Sequence, residues 1–202
     1  MTDADLEHGL AALPESDPSV GVGRFRRRAA QAGLLDVAYA VTDSPLGPLA
    51  VFVTPRGLVR VAYQGEPIDE VVADVAARVS PRLLLAPEQT DAIRRELDAY
   101  FARRLESFSV PIDWTLVRGF ARGVLHATAA IPFGQVTTYG HLAEAAGSPR
   151  AARAAGNALG SNPIPIVVPC HRVLHAGGGL GGYTGGLDRK RILLRIEGVL
   201  TD

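Results

Sequence analysis

Between Asn162 and Gly186 the chain carries Pro163, Pro165 and Pro169, and then seven glycines in the ten residues from Gly177. No regular helix runs through three prolines, because each removes a backbone donor and clashes with the preceding turn, and each pushes the residue before it toward extended backbone. The prolines are therefore expected to hold an extended approach, and the glycines to form a flexible loop whose backbone can come close to a ligand. Cys170, the single cysteine of the chain, ends that approach and is followed by His171 and Arg172. A lone cysteine is ordinarily a small buried hydrophobe. At the end of a rigid approach and beside two basic side chains, its thiolate can be stabilised, which makes it a candidate nucleophile. With one cysteine there is no intrachain disulfide and no Cys-rich zinc module. Gly177, Gly179 and Gly182 satisfy the dinucleotide pattern G-x-G-x-x-G, but no βαβ unit surrounds them, so that reading is rejected.

The rest of the chain reads as shorter regular pieces. Residues 1–36 lack periodicity, contain Pro14 and Pro18, and are expected to form a mobile or loosely helical extension; its cluster Arg24, Arg26, Arg27 and Arg28 suits either solvent or DNA. From Val37 to Tyr63 three β-prone stretches are punctuated by turn residues at Asp43–Pro45 and Pro55–Gly57, the pattern of an antiparallel meander. A helix over Ile68–Val79, a strand over Arg82–Leu85 and a helical stripe of Ile93, Leu97, Phe101 and Leu105 complete a small α/β unit over residues 37–113. Pro111–Trp114 reads as a linker to a second domain, residues 114–202.

In that second domain a helix is expected over Val117–Ala130, and Ile131–Gly134 makes a turn. A helix over Tyr139–Ala146 is stopped by Gly147, and another begins with Ser148 as N-cap and Pro149 at its first position. Two short helices around a tight turn suggest a helix-turn-helix. The second, Arg150–Leu159, has almost no bulk: Ala151, Ala152, Ala154 and Gly156 surround Arg153. Such a surface suits close approach to DNA, though composition alone is equally consistent with packing against neighbouring helices. A last amphipathic helix runs over Leu187–Glu197 and is closed by Gly198.

Formal net charge is zero, which by itself argues against a nucleic-acid partner. The charges are unevenly placed, however. Residues 115–202 hold nine Arg plus Lys against four Asp plus Glu, a net +5, and residues 1–114 hold twelve against seventeen, a net −5. The C-terminal half is the one suited to phosphate. No apolar run approaches the roughly 20 residues of a membrane span, and the acidic N-terminus is unlike a signal peptide, so a soluble, cytoplasmic protein is expected.

The string Pro169-Cys170-His171-Arg172-Val173, with Asn162-Pro163 before it and Gly-Gly-Tyr183-Thr184-Gly185-Gly-Leu and Lys190-x-x-Leu-Leu-x-x-Glu197-Gly after it, resembles the methylated-DNA–protein-cysteine methyltransferase (O6-alkylguanine-DNA alkyltransferase) family. Ile131-Pro-Phe-Gly-Gln-Val-Thr-Thr-Tyr139 and Ala151-Ala-Arg153-Ala-Ala-Gly156 resemble the same family in the same order. These motifs cover Phe120 to Gly198; the N-terminal unit is similar only in layout. The resemblance implies an α+β protein: a small mixed N-terminal domain with an antiparallel sheet, ribonuclease H-like in the family, and a helical, winged-helix-like C-terminal domain that binds DNA and performs the chemistry.

The resemblance implies further that Cys170 accepts an alkyl group from O6-alkylguanine, and from O4-alkylthymine, in double-stranded DNA, irreversibly and once. His171 would help deprotonate it through a water, Glu197 would orient His171, and Asn162 would brace the active-site turn. Tyr139 would contact phosphate and assist proton delivery to the departing guanine. Arg153 would replace the flipped nucleotide in the stack, on a helix whose Ala151, Ala152, Ala154 and Gly156 lie in the minor groove. Tyr183, Thr184 and Gly185 would form the loop that covers the base, with Lys190 nearby, and Val173 and Arg172 would also bind the substrate. No metal or other cofactor is implied, and the family acts as a monomer able to bind cooperatively along DNA. Where the family has Phe-Gln-x-x-Val-Trp, this chain has Phe120-Ala121-Arg122-Gly123-Val124-Leu125, which predicts looser packing in that helix. Three other readings compete: an alkyltransferase-like protein that only flags damage, although such relatives replace the cysteine kept here; a winged-helix regulator; and a cysteine hydrolase, for which no substrate-cleft motif accompanies Cys170.

Overall fold

A computed structural model describes residues 21–24, 28–29 and 32–201, and the chain divides into two units, residues 1–35 and 36–202. In the first unit, residues 21–24 and 28–29 are helical and Gly33 adopts a positive φ of 65°. Arg24 and Arg28 are exposed; Arg26, Arg27 and the rest of the expected extension up to residue 20 lie outside the described residues.

The second unit opens with the meander expected from the turn residues. Strands β1 (Val37–Thr42), β2 (Leu49–Thr54) and β3 (Gly57–Tyr63) pair antiparallel, with a bulge between Phe52 and Val53. At the β2–β3 turn Gly57 has φ 130°, and a Cβ there would lie 2.1 Å from the Pro111 carbonyl oxygen, so only glycine fits. Helix α1 (Ile68–Arg78) leads to β4 (Leu83–Leu85), which pairs parallel with β1. The sheet, ordered β3-β2-β1-β4, is therefore mixed rather than purely antiparallel.

Side chains alternate across a strand, and here both faces are covered. Ala50, Phe52 and Val59 meet Val71 and Val75 of α1, while Leu49, Val51, Leu58 and Val61 meet Ile93, Leu97 and Tyr100 of helix α2 (Asp91–Phe101) together with the C-terminal elements. Burying each such aliphatic side chain contributes roughly 1.5–3 kcal/mol. Leu105 falls beyond the end of α2, so the expected helical stripe is one turn shorter.

The Pro111–Trp114 linker is not a free tether. The Leu58 N–H donates to the Pro111 carbonyl at 2.8 Å and the Asp113 N–H to the Leu58 carbonyl at 2.8 Å, and buried Asp113 accepts from Thr54 Oγ1 and Arg56 Nε. It leads into helix α3 (Gly119–Ala129), where Val124 and Leu125 are fully buried. Leu125, where the family has Trp, is therefore wholly shielded from solvent.

A short parallel pair, β5 (Thr137–Thr138) with β6 (Val173–Leu174), ties the segment before Tyr139 to the segment after Cys170. Helix α4 (Tyr139–Ala145) is capped by Thr138 Oγ1 and ends at Gly147, φ 77°. The next helix, α5, spans Ala152–Gly160 and has Ala151 as its N-cap. The expected start at Ser148 is corrected: Ser148 to Ala151 form a separate turn closed by the Ala151 N–H on the Ser148 carbonyl, and helical bonding begins with the Ala155 N–H on Ala151. Helix α6 (Leu187–Ile196) ends the described fold, with Glu197 as its C-cap and Gly198 at φ 72°. No described helix is long and apolar enough to cross a membrane.

Candidate active site

Asn162 lies two residues beyond the end of α5, after its C-cap Ser161, and is buried. Its Oδ1 accepts the Ile164 N–H at 3.0 Å, and its Nδ2 donates to the Val168 carbonyl at 2.9 Å and to Cys170 Sγ at 3.2 Å. One side chain thus closes the whole proline segment onto the thiol. The segment is a coiled turn and not the extended approach expected: the Val168 N–H reaches the Ile164 carbonyl, and Ile166 takes a positive φ of 76°. A β-branched residue there costs on the order of 1–3 kcal/mol, sustained by the Asn162 bonds and by the Val61 N–H on the Pro163 carbonyl.

Cys170 opens a short 3-10 turn over Cys170–Arg172, all three residues being buried. Behind it, Glu197 collects donors. His171 Nε2 lies 2.7 Å from Glu197 Oε1, Arg172 donates through Nε and Nη2 at 2.9 Å each, and the Tyr100 hydroxyl donates at 2.7 Å. Burial alone would raise the Glu197 carboxyl, but the bonds from His171, Arg172 and Tyr100 outweigh it and hold it at about 2. The ionised carboxylate can only accept, so His171 Nε2 carries the proton. Burial also lowers the His171 pKa, which makes the His171–Glu197 contact a hydrogen bond of neutral imidazole; the ion pair is the one with Arg172. His171 Nδ1 is left as a bare acceptor, buried and without a partner among the described residues.

Burial pushes the Cys170 thiol up to about 11, against the opposing Asn162 bond and the charge of Lys190. The expectation that the adjacent His171 and Arg172 stabilise a thiolate is therefore corrected. His171 is neutral, and the Arg172 charge is taken by Glu197 and the Ile131 carbonyl. The cation acting on Cys170 is Lys190, itself lowered by burial to about 8 and bonded to the Val173, Leu180 and Gly182 carbonyls.

In front of Cys170 lies a cavity of about 520 Å³, whose lining includes Tyr139, Ala152, Arg153, Gly156, Tyr183 and Thr184. Tyr139 sits under the glycine loop: a Cβ on Gly181, φ 70°, would lie 2.4 Å from its hydroxyl oxygen. Helix α5 has two faces. Ala155, Ala158 and Leu159 are buried in the core, whereas Arg153 and Ala154 are exposed and Ala152 and Gly156 half-buried. One face of the helix therefore packs in the core, as composition allowed, and the other is left open to solvent.

The structure thus gathers Cys170, Tyr139, Arg153, Ala152, Gly156, Tyr183 and Thr184 around one cavity, with Asn162, His171 and Glu197 behind it. Ala151, Ala154, Arg172, Val173, Gly185 and Lys190 do not line it. Val173 is fully buried and Gly185 is wedged between Tyr63 and Tyr183. Sequence reading missed His175, which lines the cavity and lies 5.3 Å from Tyr139 between ring centroids. It also missed Tyr100, which lies outside the stripe expected from the sequence and is buried on α2 beside Ile93 and Leu97.

Residues 119–199 match the DNA binding domain of 6-O-methylguanine DNA methyltransferase, and residues 37–114 match the ribonuclease-like domain of the same family. Among curated proteins, the methylated-DNA–protein-cysteine methyltransferase of Methanosarcina acetivorans is 40% identical over 160 residues, 79% of this chain and 97% of that protein. The protein of the same name from Mycobacterium tuberculosis is 39% identical, covering 80% of this chain and 92% of that one. Among solved structures, the M. tuberculosis O6-methylguanine methyltransferase superposes with a TM-score of 0.68 at 38% identity, over 80% of this chain and 92% of that one. The M. tuberculosis protein in complex with DNA gives the same TM-score and identity over 79% and 92%.

Proposed function

The chain belongs to the 6-O-methylguanine DNA methyltransferase family, and from that premise we propose that it repairs DNA by transferring the alkyl group of an O6-alkylated guanine, or an O4-alkylated thymine, onto Cys170. The observation that carries this is a thiol opening on a cavity in front while His171 and Glu197 stand behind it, with a tyrosine hydroxyl on the cavity wall.

Each group has one task. His171 Nδ1, the free acceptor, takes the thiol proton through one water, and Glu197 stabilises the imidazolium that forms. The sulfur attacks the alkyl carbon, the carbon–oxygen bond breaks, and its electron pair leaves with the base, which receives a proton through the Tyr139 hydroxyl. A thiol near 11 leaves on the order of one molecule in a thousand to ten thousand ionised near neutrality, so proton removal is coupled to capture of the base rather than complete beforehand. The product is a thioether, which water does not cleave, and the protein is spent.

The target oxygen lies inside the duplex, so the nucleotide must be flipped into the cavity. The exposed face of α5 fits the minor groove, with Arg153 filling the gap, and Thr184, Tyr183 and Gly185 form the cover over the base. We place the domain boundary between Asp113 and Trp114, and read the protein as a monomer able to bind cooperatively along DNA, working in a reducing cytoplasm that keeps its one thiol free. Exposure to a duplex carrying O6-methylguanine is expected to add the mass of one methylene, localised to the Cys170 peptide, once per chain. An unchanged mass, or a label elsewhere, rejects the assignment.

A further inference from the structure

Tyr183, on the cavity wall, is not held by its own domain alone. Its hydroxyl lies 2.6 Å from that of Tyr63, the last residue of β3 in the N-terminal sheet, and the two rings meet edge-on at 6.2 Å. Tyr63 is itself fixed. It is 5% exposed, its N–H donates to Glu66 Oε1 at 2.9 Å, and the Arg189 guanidinium lies 4.8 Å from its ring centroid. Arg189 in turn donates to the Leu46, Gln64 and Gly185 carbonyls. Gly185 fits between the rings only because it has no side chain: a Cβ would lie 2.7 Å from Tyr63 and 2.8 Å from Tyr183. On the other side of Tyr183, Thr184 Oγ1 donates to the Gly160 carbonyl at the end of α5 at 2.7 Å. The cover loop is therefore clamped between the N-terminal sheet and α5, and Tyr63 does not line the cavity.

We propose that Tyr63 is a specificity-determining positioning residue: by holding the Tyr183 hydroxyl it keeps that ring as a stiff wall of the acceptor cavity, and so sets how large an alkyl group can be presented to Cys170. This rests on the alkyl-transfer reading above. A methyl group benefits from a fixed wall at its back, whereas a bulky group needs the wall to yield. Loosening the wall thus moves the two substrates in opposite directions, which a general loss of stability does not.

The test compares single-turnover transfer to Cys170 from duplexes carrying O6-methylguanine or O6-benzylguanine. Tyr63→Phe keeps the ring and removes the hydroxyl, and is expected to raise the benzyl-to-methyl rate ratio about three- to tenfold, the worth of one hydrogen bond. Tyr183→Phe breaks the same bond from the loop side and should shift the ratio in the same direction even if Tyr63→Phe proves poorly folded. The double variant should match a single one, since one bond is lost in each. An unchanged ratio, a parallel loss on both substrates, or additive shifts overturns the proposal. Absence of transfer from either duplex to the unaltered chain overturns the functional reading itself and the proposal with it.

Discussion

The two sides of Cys170 are built on opposite terms. Behind it, Glu197 is saturated: the Tyr100 hydroxyl, His171 and a doubly donating Arg172 converge on one buried carboxylate. In front, the wall is a helix of small residues and a glycine loop, with Arg153 exposed. The rear is complete before any substrate arrives, as preorganised catalytic groups must be; at the front the loop is clamped through Tyr183 and Thr184, but the small-residue face of α5 and Arg153 stand open. Damage to the rear should therefore cost folding and chemistry together, and damage to the exposed α5 face should cost recognition alone.

Cys170→Ser removes the atom on which both sides converge. Transfer to protein is expected to fall below detection by intact mass while damaged-duplex binding stays near that of the parent, and a serine variant that still takes up label refutes the acceptor assignment. Next in size, Glu197→Gln should cost about 3–5 kcal/mol in urea unfolding, because Arg172 is left buried without its counter-charge, and on the order of a hundredfold in transfer rate. Its acid behaviour sharpens the point. The folded carboxyl at about 2 lies below its ordinary 4.5, so its stabilisation is present above 4.5 and is lost as pH falls from there through about 2. The parent should lose stability over that window more steeply than the glutamine variant, and parallel curves would contradict the saturated rear.

At the front, Arg153→Ala should leave unfolding unchanged and lower repair in duplex on the order of tenfold, about 1.4 kcal/mol, with little effect on reaction with free O6-alkylguanine. Equal losses on both substrates would remove Arg153 from the nucleotide-replacement role. The smallest effect is electrostatic. Binding of undamaged duplex should weaken with salt at a slope of about −2 in log K against log salt, equivalent to two neutralised phosphates. Titration at several salt concentrations measures it, and a flat response would mean that the basic C-terminal half is not the DNA face.

The asymmetry also explains what could be read in the sequence. Turn residues such as Pro55 and Gly57 act over a few positions, so the meander was legible, and Pro169-Cys170-His171-Arg172 marked the nucleophile because its chemistry is written in consecutive residues. Ser148 and Pro149 satisfied the local rule for a helix start, yet the chain spends them on a preceding turn closed at Ala151, and no local rule separates the two outcomes. The charge partners of Cys170 were misassigned because adjacency in sequence is not adjacency of charge: Arg172 turns to Glu197, and Lys190 acts instead. Tyr100 and Tyr63 were invisible for a plainer reason. Each reaches its partner across a long stretch of chain, 97 residues to Glu197 and 120 to Tyr183, so nothing nearby distinguishes them from ordinary core tyrosines.

The depth of the Cys170 thiol bears on how long a molecule stays usable. A protein consumed by one event is lost as surely to a stray electrophile or a peroxide as to its intended target. Both attack the thiolate form of an accessible cysteine. With its pKa pushed up to about 11 by burial and only 5% exposed, little of this sulfur stands as thiolate while the cavity is empty, so loss to such reagents is expected to be slower than for an exposed thiol of ordinary pKa.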